Sequence, residues 1–312
     1  MEKTLVPNSN VLVIGAAVVD VVIHTDTLPK TGEDVMGKLE KTIVGGCAYN
    51  VRQVIHRFDV PNTLFAPIGK GPYAQLIREE FMKQGIPLVL DDDSKDNGWN
   101  ISFVEKDGER TFLTIPGLET CWKTEWFEEI DLSDYLYIYL SGYELEGPSG
   151  EVLVQEVMAK KAAHTKIIFD PGPRAAFLTP AVLEALLQPG TIVHCNQSEL
   201  SMLYPAGDRR NPGFVEKAVA ALHAQTLEAV VVTLGKDGCY YRDQHGSGYV
   251  SAKKVTVVDT IGAGDSHTGA FISGLAYGMS TEEACRLGND VSAEVVQQSG
   301  GAWLAGSSIL SK

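Results

Sequence analysis

Asp265 is the carboxylate whose neighbours best equip it for chemistry. It stands in Val257-Val-Asp-Thr-Ile-Gly-Ala-Gly-Asp-Ser-His-Thr-Gly-Ala-Phe271, a strand-like run that turns through Gly262 and Gly264 into a helical pattern. Glycines at such a turn let backbone N–H groups point outward at a helix start, where free donors and the positive dipole end attract phosphate. A carboxylate there can take a proton from an incoming hydroxyl while the same backbone groups hold the phosphate under attack. The residues also suit a plain cap and a tight turn. Taken alone, the segment leaves both readings open.

Two nucleotide fingerprints fail. G-x-G-x-x-G needs a third glycine where this chain has His267, and the P-loop pattern fails because Gly69-Lys70 and Gly235-Lys236 are followed by Gly71 and Asp237. Three other segments carry candidates. Asn196-Gln-Ser-Glu199 follows the buried run Thr191–His194 and places an amide and a carboxylate at a sheet edge, where open α/β proteins bind ligands. A carboxylate there suits Mg²⁺ held through water, and the tetrapeptide equally suits a helix start. Thr233-Leu-Gly-Lys-Asp-Gly238 ends the hydrophobic run Ala229–Leu234 as a ligand-facing loop or a hairpin turn. Gly45-Gly46-Cys-Ala-Tyr-Asn50 is a second glycine-rich helix start, and Asp20 closes the first apolar run at an edge where it could accept two sugar hydroxyls.

The elements that must position these residues are legible in the hydrophobic pattern. Runs at Val11–Ile14, Thr63–Ile68, Leu136–Leu140, Lys166–Phe169, Thr191–His194 and Ala229–Leu234 alternate with helical stripes such as Val51/Val54/Ile55/Phe58. That alternation predicts a mostly parallel sheet with helices on both faces. Residues 18–44 and 99–115 instead read as extended strands, the second with a turn at Lys106-Asp107-Gly108. They predict a small β-element lying over a cleft as a lid or pairing with another copy. The chain has 312 residues, 26 basic against 40 acidic side chains and a net charge of −14, which speaks against nucleic acid and anionic membranes as partners. Its five cysteines are an odd number with no C-x-x-C pair, and its first apolar run stops at Asp20, so a reduced protein of the cytoplasm is expected.

In this order and on these elements, the segments resemble the ribokinase-like, or PfkB, family of carbohydrate kinases over nearly the whole chain. The most specific part is Asp259-Thr-Ile-Gly-Ala-Gly-Asp265, joined by Asn196-x-x-Glu199, Thr233-x-Gly235-x-x-Gly238, Gly45-Gly46 with Asn50, and Gly15 with Asp20. The resemblance implies one domain over residues 1–312: a three-layer α/β/α body with a mostly parallel central sheet and a small β-lid over the acceptor site. It implies a phosphotransferase that moves the γ-phosphate of ATP, with Mg²⁺, to a hydroxyl of a small sugar or sugar derivative. By this resemblance Asp265 matches the catalytic base, and the backbone of Gly262, Ala263 and Gly264 the anion hole. Asn196 and Glu199 match the motif that organises Mg²⁺, through water, and the triphosphate. Thr233, Gly235 and Gly238 match the nucleotide-side loop, and Asp20, Gly45, Gly46 and Asn50 the acceptor positions. Many relatives are stimulated by potassium held beside the anion hole, a region matched here by Asp259 and Ser299-Gly300-Gly301.

Departures bear on the acceptor. Ribose-specific members carry Asn two residues before the aspartate matched by Asp20, where this chain has Val18, and Lys-Gly-Ala where it has Cys47-Ala48-Tyr49. Two polar sugar contacts are lost and an aromatic is gained, which favours a less polar sugar derivative or a nucleoside whose base stacks on the ring. Phe169-Asp-Pro-Gly-Pro-Arg174 resembles an Asp-Pro-Asn-x-Arg stretch with Gly172 in place of Asn, so Arg174 faces an anionic ligand or caps a helix. A nucleoside kinase on the same scaffold is the alternative. A ligand-binding relative without turnover would have no need of Asp265. Lid strands with open edges predict a homodimer through the lid.

Overall fold

The computed structural model describes residues 7, 9–106, 110–298, 300 and 303. Asp107 and Gly108 of the expected lid turn, and Ser299 and Gly301 of the candidate cation loop, lie outside the described residues. The N-terminal part runs through β1 (Val11–Ile14), β2 (Val18–Thr25), β3 (Gly37–Gly45), α1 (Cys47–Arg57), β4 (Asn62–Phe65), β5 (Pro67–Ile68) and α2 (Pro72–Gln84). Next come β6 (Leu90–Asp91), β7 (Trp99–Val104), β8 (Arg110–Ile115), β9 (Tyr137–Ser141), α3 (Gly147–Lys160), β10 (Lys166–Asp170) and α4 (Pro180–Leu186). The C-terminal part holds β11 (Thr191–Asn196), α5 (Gln197–Leu203), α6 (Phe214–Thr226), β12 (Val230–Thr233), β13 (Cys239–Asp243), β14 (Gly246–Val250), α7 (Ala263–Ala276) and α8 (Thr281–Val295).

The main sheet has the order β14-β13-β12-β11-β10-β9-β1-β4, parallel except for the β13–β14 hairpin at one edge. Its parallel strands are covered on both faces, which is why they read as continuous apolar runs. Val11 and Val13 pack on one side with Phe271 of α7 and Val291 of α8. Leu12 and Ile14 pack on the other with Leu153 of α3 and Leu222 of α6. Trp126 and Phe127 join that second core from a short 3-10 turn, and Trp122 from the segment just before it. The layers are therefore α/β/α. The parallel strands all end along one edge, where Ser141, Asp170, Asn196 and Thr233 stand side by side.

A four-stranded sheet, β3-β2-β7-β8, makes up the smaller element, with β2 and β7 parallel. Three local expectations need correction. The run Thr63–Ile68 breaks after Phe65, because Pro67 has no N–H to extend the ladder and instead opens a two-stranded pairing with Leu90 and Asp91. The strand-like run at Val257–Val258 forms no strand: both residues lie exposed, and the Val258 N–H bonds Val296 O just past α8. Asp20 does not end the first strand. β1 stops at Ile14, and Asp20 sits inside β2 of the small sheet, opposite Ile43 and Asn100.

Candidate active site

The turn into α7 leaves backbone donors free at the start of the helix. Gly262 caps the helix at φ +69°, the left-handed region that a side chain resists, and the Ala263 N–H bonds Thr260 O. Among the described residues the first-turn N–H groups of Gly264 and Asp265 find no acceptor in the chain. A Cβ on Gly264 would meet nothing within 4 Å, and both residues line a cavity.

Asp265 lies at the head of this helix, partly buried. Its Oδ2 accepts from Asn50 Nδ2 at 2.8 Å, a bond 215 residues apart in sequence that ties α7 to α1. Burial raises its carboxyl above the ordinary aspartate value, against the hydrogen bonds from Asn50 and Cys47 that lower it. Two cavities meet here. A cleft of about 630 Å³ between the small sheet, α1 and α2 is lined by Asp20, Gly45, Tyr49, Asn50 and Ser266. A second cavity of about 140 Å³ is lined by Asp170, Asn196, Glu199, Thr233, Gly264 and Asp265. Asp265 thus faces one cavity while its partner Asn50 faces the other.

The larger cleft is polar at its inner end. Asp20 Oδ1 accepts from Asn100 Nδ2 at 2.8 Å, and burial raises the Asp20 carboxyl. Asp20 Oδ2 lies so close over the main chain that a Cβ on Gly45 would stand 2.2 Å from it. Gly45→Ala is therefore expected to push the carboxylate aside and raise the acceptor KM by about ten- to hundredfold with ATP affinity unchanged, as initial-rate kinetics would show. Gly46 caps α1 without a side-chain bond. The Tyr49 ring stands in the wall of this cleft but is only 5% exposed: it stacks on Phe81, donates from its hydroxyl to Glu80 and accepts from Gln53. Little of the ring is left for the base stacking expected of it.

At the sheet edge, Asn196 and Glu199 form a capping box on α5. Asn196 Oδ1 accepts from the N–H groups of Ser198 and Glu199, while both Glu199 oxygens accept from Asn196, at 2.8 and 2.7 Å. The helix-start reading is realised, and the pair still lines the small cavity. Thr233 lines it too, whereas the Leu234 N–H bonds Gly238 O across the tight turn into β13, which makes Gly238 a hairpin residue. Gly235 stands in that turn with open space beside it. Arg174 pairs with Glu146 and lies over Phe177, so it faces no cavity ligand. His267 is buried, its Nδ1 2.8 Å from His194 Nε2.

The model of the pfkB family of carbohydrate kinases matches residues 8–303. The chain belongs to this family. It is 35% identical over 302 residues to an uncharacterized sugar kinase, YegV, of Escherichia coli K12, covering 95% of this chain and 91% of that protein. Among solved structures, Arabidopsis thaliana ribokinase complexed with ribose and ATP superposes with a TM-score of 0.79 at 24% identity, covering 94% of each chain. Adenosine kinase from Sinorhizobium meliloti superposes at 0.80 with 22% identity, over 97% of this chain and 98% of that one. The protein is a kinase with the ribokinase-like fold.

Within this kinase fold, two buried carboxylates carried no role in the sequence reading. Asp170 ends β10, lines the small cavity and is raised well above the ordinary value by burial and by the charges of Glu199 and Asp265. Among the described residues no lysine or arginine lines that cavity. Asp170, Glu199 and Asp265 line this space together, and the last also raises the carboxyl of Glu199. Among the described residues no three such side chains are close enough to chelate an ion directly, so Mg²⁺ would be held through water and phosphate.

Glu144, after β9, is the second. It is 4% exposed, and its Oε1 accepts the Ala16 N–H at 2.9 Å while Oε2 has no partner. The signal for both was their place just past a buried parallel strand. Burial pushes the Glu144 carboxyl up to about 8. The folded chain therefore keeps a proton that the unfolded chain releases, so this stabilisation is full below the ordinary glutamate value and is lost as pH rises through about 8. Melting midpoints taken from about pH 5 to about pH 8.5 should fall by several degrees in the wild type and stay flatter in Glu144→Gln.

Proposed function

We propose that this kinase transfers the γ-phosphate of ATP to a hydroxyl of a small sugar or sugar derivative seated in the Asp20 cleft. The observation that carries the reading is the Asn50–Asp265 hydrogen bond at the wall between the two cavities, which holds a carboxylate of raised basicity between an acceptor space and a phosphate space. Asp20 accepts acceptor hydroxyls and orients the sugar. Asp265 takes the proton as the hydroxyl oxygen attacks phosphorus, and the free N–H groups of Gly264 and Asp265 receive the charge on the transferring phosphate. Thr233 and Gly235 lie on the nucleotide side. Mg²⁺ neutralises the triphosphate when bound, and Asp170, Asn196 and Glu199 would hold it through water. The small sheet closes as a lid and excludes water.

A nucleoside acceptor is the second reading. The cleft, at about 630 Å³, exceeds what a monosaccharide needs, and adenosine kinase shares the fold. Against it, the Tyr49 ring is already stacked on Phe81. ADP release from ATP and Mg²⁺ across sugars, sugar acids and nucleosides separates the two. Turnover with a sugar or sugar derivative supports the first reading, and turnover with nucleosides alone overturns it.

Leu39, Phe112, Leu113 and Ile115 lie exposed on the small sheet and Met36 just before it, which supports pairing with a second copy through the lid. The five cysteines are free, and three are buried, in keeping with a reducing cytoplasm. No described helix is long and apolar enough to cross a membrane.

A further inference from the structure

The small sheet reaches over to the loop that opens the anion site. Arg110, the first residue of β8, donates from Nη2 to Asp259 Oδ2 at 2.7 Å, and Asp259 stands three residues before Gly262. The Asp259 side chain is 7% exposed. Its Oδ1 accepts the Ile261 N–H at 3.0 Å and its Oδ2 also accepts the Gly300 N–H at 3.0 Å. A second cation from the same sheet is near: a Cβ on Gly300 would stand 2.8 Å from Lys41 Nζ of β3.

Asp259 and Gly300 belong to the region matched, by family resemblance, to a potassium site. These residues do not fit that ion here. Asp259 already accepts from three donors, one of them a guanidinium, and a potassium ion on the same carboxylate would meet that fixed positive charge at close range. Left without a counter-charge, Asp259 would instead repel the phosphate bound one turn away.

We propose that Arg110 is a positioning residue for phosphoryl transfer, its guanidinium neutralising Asp259 and fixing the turn into α7 in place of a monovalent cation. The inference rests on the kinase reading of the Asp265 site. It also couples the two ends of the reaction. Arg110 pairs with Val104 at the far end of β7, whose Asn100 holds Asp20, so one sheet carries both the acceptor contact and the latch on the anion hole.

The test uses the full chain in tetramethylammonium buffer at constant ionic strength, with K⁺ titrated against wild type, Arg110→Ala and Arg110→Lys. The wild-type melting midpoint and kcat should not respond to K⁺. Arg110→Ala should lose about a hundredfold in kcat with a much smaller change in the KM for ATP, the cost of a displaced anion hole. Arg110→Lys should recover part of that loss, and low concentrations of guanidinium should partly rescue Arg110→Ala. A wild-type protein that K⁺ stabilises and activates several-fold, or a folded Arg110→Ala with unchanged kcat, would overturn the proposal. If Arg110→Ala does not fold, the wild-type K⁺ response and Arg110→Lys decide. The melting readout needs no acceptor, so a failure of the kinase reading shows as absent turnover and leaves the latch separately tested.

Discussion

Asp265→Asn is expected to lower kcat by about a thousandfold while the affinity for ATP changes little, because a positioned base contributes roughly 10²–10⁴-fold and the amide cannot take the proton. Asn keeps the shape of the side chain, and its carbonyl can still accept from Asn50, so the helix start and its free N–H groups stay in place. Loss of rate without loss of nucleotide binding therefore isolates proton removal from phosphate binding. The acid limb of the wild-type pH–rate profile should lie above the ordinary aspartate range, since burial raises Asp265. Below that limb the carboxyl is protonated and the rate falls. Asp265→Asn should lose this limb along with the activity.

The second large effect is expected at Asp20. Asp20→Ala should lower kcat/KM for the acceptor by about a thousandfold, since each hydrogen bond to a charged group is worth roughly 1.5–3 kcal/mol and two hydroxyl contacts go at once. The KM for ATP should be unaffected, because Asp20 lines only the larger cleft. Asp20→Asn, which keeps one acceptor oxygen, should lose less. Asn100→Ala should lie between wild type and Asp20→Ala, as it removes the bond at 2.8 Å that aims the carboxylate without removing the carboxylate itself. Equal losses for acceptor and ATP in Asp20→Ala would assign Asp20 to folding instead.

Much of this was legible because parallel strands and glycine turns leave strong local marks. The buried runs Val11–Ile14 and Thr191–His194 lie in strands because both their faces are covered, and residues 18–44 and 99–115 supply the small sheet, whose inner strands β2 and β7 are partly buried while β3 and β8 lie mostly exposed. What the sequence could not show was partnership across distance. Nothing local ties Asn50 to Asp265, Arg110 to Asp259 or Glu144 to Ala16. Tyr49 read as a free aromatic because its stacking partner, Phe81, lies in another helix. Val257 and Val258 read as a strand because β-branched residues favour one, yet both lie exposed and the Val258 N–H bonds Val296 O beyond α8. Asp20 read as a strand end because the break at Gly15 and its two alanines is apolar and leaves the hydrophobic run unbroken.

The central claim is phosphate transfer from ATP to an acceptor hydroxyl at Asp265. The most direct measurement incubates the purified chain with γ-labelled ATP, Mg²⁺ and the acceptor that gives the greatest ADP release, and follows where the label goes. The account predicts one labelled phosphate on the acceptor for each ADP formed, and none from Asp265→Asn over the same period. ADP formed with the label left as inorganic phosphate, or label transfer that persists undiminished in Asp265→Asn, would contradict it.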